Sequence, residues 1–356
     1  MASIELVRVS LRTANVARLD DVSLGVASGD FVGVVGGSGS GKSTLLRAVA
    51  GLERPTSGVI RIDGRDVTRA TPGERDVGMV FQEPALFGHL SVRRNVSFPL
   101  DVRRRDADDI RRRVDAEARA LRIEELLVRN PNELSRGEQQ MVQIARALVR
   151  VPEVLLLDEP FASLDEQLRH RMRAEIAILQ EGYGVTTLMS TNDPLDVMTL
   201  TSTLIVLDEG RVVQFGETAS IRRSPATILA AATTGSISLM DMTVVAESEG
   251  FWLIRADPAG GELVRIRAWA PALAAHAGSP VVVGIRPEHL VVSDRGSIAA
   301  IVERWLPHPT GAVRGVVAGA PLTATTNGVV VTAGDAVRLR IDHMVVFDKL
   351  TGVAIT

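Results

Sequence analysis

Gly36-Gly37-Ser38-Gly39-Ser40-Gly41-Lys42-Ser43 is the stretch on which the reading of this chain turns. It follows the apolar run Phe31-Val-Gly-Val-Val35, a buried strand by its composition, and it leads into residues 43–50, which predict a helix. A glycine-rich turn between a buried strand and a helix is the setting in which the pattern G-x-x-x-x-G-K-[ST] binds phosphate. Glycines let the backbone curl until several N–H groups face one anion, and the helix N-terminus adds a favourable dipole. Gly36, Gly37, Ser38, Gly39, Ser40, Gly41, Lys42, Ser43 and Thr44 are therefore assigned to the phosphates of a nucleotide. Within that set Lys42 serves the β- and γ-phosphates, and the Ser43 hydroxyl is a ligand for Mg²⁺.

Working outward, Val154-Leu-Leu-Leu157 is a second buried strand, closed by Asp158 and Glu159. An acid at the carboxyl end of such a strand faces the ligand crevice of an open α/β sheet. Asp158 is expected to hold Mg²⁺, and Glu159 to orient the attacking water or take its proton. Residues 164–180 read as a helix, 186–190 as a third buried strand, and 204–207 with 212–215 as a hairpin around Asp208-Glu-Gly210. Segment 59–80 adds further strands with a turn at Asp63-Gly64, and residues 1–30 read as short strands and turns. Strands alternating with helices argue for a parallel sheet covered on both sides. Residues 101–128 are highly charged, with Val114, Ala118, Leu121 and Leu126 near one helical face, so they read as an exposed helical insert whose arginines are solvated.

The chain has 356 residues, too many for one ordinary core, which predicts two domains. A net charge of -3 offers no basic field for nucleic acid. Cysteine is absent, so neither a disulfide framework nor a thiolate metal site is expected. The start of the chain carries no signal-peptide pattern, and no apolar run approaches the roughly 18 residues that a membrane helix needs. Only Lys42 and Lys349 are lysines, an arginine bias that makes a lysine in the glycine turn suggestive. Beyond about Gly235 the long helical patterns stop. Runs at 251–254, 263–266, 281–285 and 336–341, separated by turns, predict a small β-barrel or sandwich.

Two polar elements narrow the class. Leu134-Ser135-Arg136-Gly137-Glu138-Gln139-Gln140 opens a helix about two turns ahead of the Asp158 strand, and Gln82 lies in Val80-Phe81-Gln82-Glu83-Pro84. Glycine turn, Gln82, Leu-Ser-x-Gly, Val-Leu-Leu-Leu-Asp-Glu-Pro and Ala162-Ser163-Leu164-Asp165 occur in the order of the ABC transporter ATPases, which residues 1 to about 235 resemble. Gly284-Ile-Arg-Pro-Glu-His289-Leu, Val346-Phe-Asp348 and Thr351-Gly352 resemble the C-terminal regulatory domain of the maltose-type (CUT1) importer ATPases. The resemblance implies an α/β P-loop ATPase domain at 1–235 with a helical subdomain at about 86–150. It implies an OB-like (TOBE-type) barrel at 236–356 that dimerises and receives regulatory signals.

The resemblance also implies an ATPase that powers import of a sugar-like solute from the cytoplasmic face of the membrane. Polyamine, ferric-iron and sulfate importers share related barrels and stay open as alternatives. Two such subunits, identical or paired with a second ABC ATPase, would close head to tail over two ATPs. Ser135, Arg136, Gly137 and Glu138 would then meet the partner's nucleotide, and Asp165 would reach the partner near its glycine turn. Gln82 would touch Mg²⁺ and sense the γ-phosphate, and residues 82–89 would receive two membrane permease subunits. An extracytoplasmic solute-binding protein completes such a system.

Three positions depart from the family pattern. The switch motif Thr-His-Asp is here Thr191-Asn192-Asp193, and asparagine is shorter than histidine and carries no charge. Slower hydrolysis is expected, and a weakly hydrolysing or non-hydrolysing regulatory partner is the alternative. The signature reads Ser-Arg-Gly-Glu in place of Ser-Gly-Gly-Gln, so that Glu138 brings a negative charge toward a triphosphate, with Arg136 either offsetting it or reaching the phosphate itself. No aromatic lies in residues 9–13 to stack on adenine, which leaves Arg12 as the candidate.

Overall fold

A computed structural model describes residues 2–13, 16–162, 164–247, 250–255, 264–268, 271–296, 298–306, 312–317, 320–326 and 328–355. β1 (Ile4–Thr13) and β2 (Val16–Val26) form an antiparallel pair of 10 and 11 residues, longer than the short strands expected. Register shifts between Leu6 and Arg12 interrupt the pairing, and Arg8 adopts a φ of 51°. Such bulges break the alternation of period two by which a long strand is recognised in sequence. β3 (Phe31–Gly36) and α1 (Lys42–Ala50) flank the glycine turn, while β4 (Ser57–Ile62) and β5 (Arg65–Asp66) extend the first sheet in the order β2-β1-β4-β5.

The central sheet needs β6 (Val77–Val80), β7 (Val154–Asp158), β8 (Thr186–Ser190), β9 (Thr203–Asp208) and β10 (Arg211–Glu217), in the order β10-β9-β3-β8-β7-β6. All neighbours run parallel except the β9–β10 hairpin. Every residue of β3, β7 and β8 is buried, as continuous apolar runs covered on both faces must be. On one face Leu45, Leu46 and Val49 of α1 pack with Ile4, Leu19 and Ile60 of the antiparallel sheet and with Val34 and Leu156.

The other face is covered by α2 (Val92–Val102), α3 (Ala107–Ala120), α4 (Arg136–Leu148) and α5 (Glu166–Tyr183), followed by α6 (Pro194–Leu200). Val114, Ala118, Leu121 and Leu126 are buried there with Val96, Val142, Leu157 and Met172. The charged insert is thus an amphipathic helix, its arginine face outward, as its spacing predicts. The signature helix α4 has 13 residues, about three and a half turns at 3.6 residues per turn, so it opens further ahead of β7 than the two turns expected.

The chain divides into two compact units, Met1–Ala219 and Ser220–Thr356. α7 (Thr218–Arg223) spans that division and α8 (Ile228–Thr233) follows it. β11 (Ser238–Glu247), β12 (Gly250–Arg255), β13 (Val264–Ala268) and β14 (Pro280–Ile285) form a sheet with β20 (Val345–Asp348) in the order β13-β12-β11-β14-β20. β15 (Leu290–Val292), β16 (Ile298–Leu306), β17 (Ala312–Val317), β18 (Ala320–Thr325) and β19 (Ala336–Ile341) close a five-stranded barrel of OB-like kind. Leu263, where a strand was expected to start, lies outside the described residues.

The texture change read near residue 235 marks where the strands begin. The compact unit starts earlier because Arg286, just after β14, donates to Arg222 O, Ala231 O and Thr234 Oγ1 and ties the preceding helical segment to the strands. Among the described residues, no helix is long and apolar enough to cross a membrane.

Candidate functional site

The parallel topology brings the carboxyl ends of β3, β7 and β8 side by side, and the chemistry gathers at that edge. β3 delivers Gly36, which adopts a φ of 155°, and a Cβ there would lie 2.1 Å from Leu207 O. Gly41 has a φ of 104°, and its Cβ would lie 2.6 Å from Arg18 O. Neither position tolerates a side chain. Between them Gly37, Ser38 and Gly39 are exposed, and Ser40 is buried, its N–H donating to Gly37 O and its carbonyl accepting from Gly210 N. Thr44 is half-buried in the first turn of α1.

Lys42 opens α1 and is only 7% exposed. Its Nζ donates to Gly36 O and Gly37 O, each at 3.0 Å. Burial pulls its pKa down, and the carboxylates of Glu159 and Asp158 oppose that shift. Asp158, 1% exposed at the end of β7, accepts from Ser43 Oγ at 2.8 Å and from Ser190 Oγ at 2.7 Å. Ser190 ends β8 and also accepts from Glu159 N at 3.0 Å. One serine from each neighbouring segment thus fixes the acid pair.

Glu159 takes a left-handed φ of 45°. A non-glycine residue there costs on the order of 1 kcal/mol, held in place by its surroundings. Its carboxylate accepts from Gln82 Nε2 at 3.2 Å and from Asn192 Nδ2 at 2.7 Å. Gln82, Glu159 and Asn192, each picked out separately in the sequence, share this one carboxylate. Below them lies a cleft of about 400 Å³, whose lining includes Glu159, Asn192, Asp193, Asp196 and Arg169. Arg169, Arg173 and Asp196 were missed by sequence reasoning. The available signal was the four-residue spacing of Asp165, Arg169 and Arg173, which puts them on one face of α5.

The other expected residues do not join this cluster. Ser135 caps α4 and forms a capping box with Glu138: Ser135 N and Oγ both donate to Glu138 Oε2 at 2.8 Å, and Glu138 N donates to Ser135 Oγ at 3.3 Å. The Ser135 side chain, then its backbone N–H, hold the Glu138 carboxyl below its usual range. The cation that assists is Arg129, whereas Arg136 is exposed, so the offset expected of Arg136 comes from elsewhere. Gly137 is buried, and a Cβ there would lie 2.2 Å from Leu168 Cδ2. Asp165 caps α5 by accepting from Leu168 N at 2.9 Å, and Ser163 lies outside the described residues. Among the described residues, no hydrogen bond joins Ser135–Glu138 or Asp165 to the Lys42–Asp158–Glu159 cluster.

The stretch after Gln82 is clamped by side chains of two helices. Gln143 of α4 accepts from Ala85 N and donates to Phe81 O, and Arg146 donates to Ala85 O. Asn95 of α2 accepts from Phe87 N and donates to Phe87 O, Leu90 O and Ser91 O. Beside it runs a groove of about 570 Å³ with His89, Leu90, Phe98 and Val114 in its lining. Arg12 is exposed on β1, opposite Ala17.

Residues 19–162 match the ABC transporter family. The chain is 40% identical over 301 residues to the sn-glycerol-3-phosphate import ATP-binding protein UgpC of Chromohalobacter salexigens, covering 84% of this chain and 79% of that one. It is 40% identical over 309 residues to the protein of the same name from a Ruegeria species, covering 85% and 83%. Among solved structures, the dimeric post-hydrolysis state of the ATP-binding cassette MJ0796 bound to ADP and Pi aligns with a TM-score of 0.56 at 30% identity, covering 60% of this chain and 98% of that one. CbiO1 of Clostridium perfringens, part of the ABC transporter complex cbiONQ, aligns with a TM-score of 0.56 at 28% identity, covering 62% and 95%.

Proposed function

This chain belongs to the family of ABC transporter ATP-binding subunits, of the maltose-type (CUT1) branch, and from that premise we infer the work of its site residues. It is an ATP-binding and ATP-hydrolysing subunit that powers a sugar-type importer. The glycine turn supplies backbone N–H groups to the phosphates, and Lys42 leaves its two carbonyl partners for phosphate oxygens. Ser43 Oγ and the Asp158 carboxylate, 2.8 Å apart at one sheet edge, are a hard-oxygen pair that suits Mg²⁺, with Gln82 as a further oxygen donor. Bound there, Mg²⁺ would neutralise charge on the phosphate oxygens.

Glu159 accepts the proton of the attacking water, and Gln82 and Asn192 hold its carboxylate in place. That shared carboxylate, beside the Ser43–Asp158 pair, is the observation that carries the reading. It favours a working motor over a silent regulatory partner, because the substituted switch residue still engages the acid. Two copies, or one copy and a second ATPase of the family, close head to tail so that Ser135 and the backbone of Gly137 complete the partner's site. Residues 82–89 and the adjoining groove receive two permease subunits, which places the chain at the cytoplasmic face of the membrane in a system with an extracytoplasmic solute-binding protein. The shared name of the relatives favours a sugar or polyol-phosphate cargo over a polyamine, ferric iron or sulfate.

The test is phosphate release by the purified chain with Mg²⁺-ATP, beside Glu159→Gln. Turnover in the wild type, lost in the variant while nucleotide binding persists, is expected. A wild type that binds ATP yet releases no phosphate, even with its permease subunits, would give the role to the regulatory reading.

A further inference from the structure

Asn192 sits between two residues that are tied down from the side away from Glu159. Thr191 Oγ1 donates to Asp196 Oδ2 at 2.6 Å, and Asp193 N donates back to Thr191 Oγ1 at 3.0 Å. One oxygen of Asp193 caps α6 through Leu195 N. The other accepts from Arg169 Nη1 at 3.0 Å and from Arg173 Nη2 at 2.8 Å. Arg173 Nε also donates to Asp196 Oδ1 at 2.6 Å. Both arginines stand on α5, one turn apart, and Arg173 is 3% exposed. Burial raises the Asp196 pKa, against the hydrogen bonds of Thr191 and Arg173. A cation buried this deeply between two acids fixes geometry, because removing it takes the arginine from Asp196 and leaves Asp193 with Arg169 alone. The planar guanidinium fork bridges them, which a lysine ammonium cannot do.

We propose that Arg173, with Arg169, is a positioning residue for ATP hydrolysis. Acting through Asp193 and Asp196, it sets the loop so that Asn192 reaches Glu159. The inference rests on the ATPase reading above. The competing account is that the arginines only hold α5 to α6.

The test is a double-mutant cycle on the full chain, with Arg173→Met, Arg173→Lys and Arg169→Met each made with and without Asn192→Ala. Phosphate release and nucleotide affinity are both measured. Arg173→Met is expected to lower kcat by roughly ten- to a hundredfold, as a misplacement of about an ångström does, with ATP affinity held. Arg173→Lys recovers little. In the Asn192→Ala background the same change should cost almost nothing more, because the contact it positions is gone. An equal loss in that background, or a loss of ATP affinity, overturns the proposal. Where Arg173→Met does not fold, Arg169→Met carries the test, with amide exchange read over residues 189–196. Faster exchange there with lower kcat is expected, and unchanged exchange overturns the proposal. A wild type without turnover counts against the ATPase reading, and exchange still decides the positioning.

Discussion

Asn192 Nδ2 donates to Glu159 Oε1 at 2.7 Å, so the residue that stands where the family has a histidine engages the Glu159 carboxylate. On either side of it Thr191 and Asp193 are hydrogen-bonded into a buried arginine–aspartate network, and Glu159 takes a left-handed φ of 45°. An amide holds the carboxylate but brings no charge to a developing phosphate oxyanion. Asn192→Ala should lower kcat by roughly ten- to a hundredfold, the cost of a reacting group left about an ångström out of place. Asn192→His should raise kcat severalfold with ATP affinity unchanged. Phosphate release from the three proteins decides it, and a histidine variant slower than the wild type would show that the asparagine is the better partner for this site.

Gly137 lies where α4 meets α5, with Leu168 Cδ2 only 2.2 Å from where a Cβ would stand. Gly137→Ala should therefore push the half-buried Leu168 side chain aside, at a cost of about 1 kcal/mol through overpacking. Adding Leu168→Ala opens the space and should recover part of that loss. Urea unfolding of the two variants separates this from a helix-propensity effect, which alone would make alanine the more stable residue in the helix.

The nucleotide edge was legible because its parts are local: a buried strand, a glycine turn and a helix in succession, or a buried strand ending in Asp158-Glu159. β3, β7 and β8 read as runs because both faces are covered. β1 and β2 were underestimated because bulges broke their alternation. The grip of Gln82 and Asn192 on one carboxylate was out of reach, since their separations of 77 and 33 residues from Glu159 are closed only by sheet order. Arg173 was hidden for another reason: an arginine in a charged helix looks solvated until its burial is known. The capping role of Glu138 was legible as well. Ser135-x-x-Glu138 ahead of an apolar-periodic segment is the pattern of a capping box, which satisfies the charge of Glu138 locally.

Arg286 carries the best-defined prediction for the second unit. Its guanidinium donates to Arg222 O, Ala231 O, Ser236 O and Thr234 Oγ1. Burial first, then the neighbouring Arg222 cation, push its pKa down to about 10, against the pull of Glu288. Lysine keeps the charge but has no planar fork to spread over those acceptors. Arg286→Lys should destabilise this unit by about 1–3 kcal/mol, the cost of buried acceptors left unpaired, with ATP affinity unaffected. Calorimetry reads the first quantity and nucleotide titration the second. A lysine variant as stable as the wild type would mean that the carbonyls find other donors.

The capping box of α4 gives a prediction whose sign is fixed by the direction of one shift. Ser135 holds the Glu138 carboxyl below its ordinary range, so the charged form is favoured in the folded chain. The stabilisation is thus fully present above the ordinary glutamate pKa of about 4.3 and is lost as pH falls through the lowered folded value. Glutamine keeps an oxygen for Ser135 but has no charge to titrate. The stability difference between wild type and Glu138→Gln should be largest near neutrality and shrink toward zero in acid. It should also narrow in salt, because the carboxylate is partly exposed and the assisting cation is Arg129. Urea midpoints of both proteins at neutral and acid pH test this directly. A difference that does not change with pH would mean that the neutral carboxyl caps the helix as well as the ion does, and that the charge at this position has a use other than holding α4.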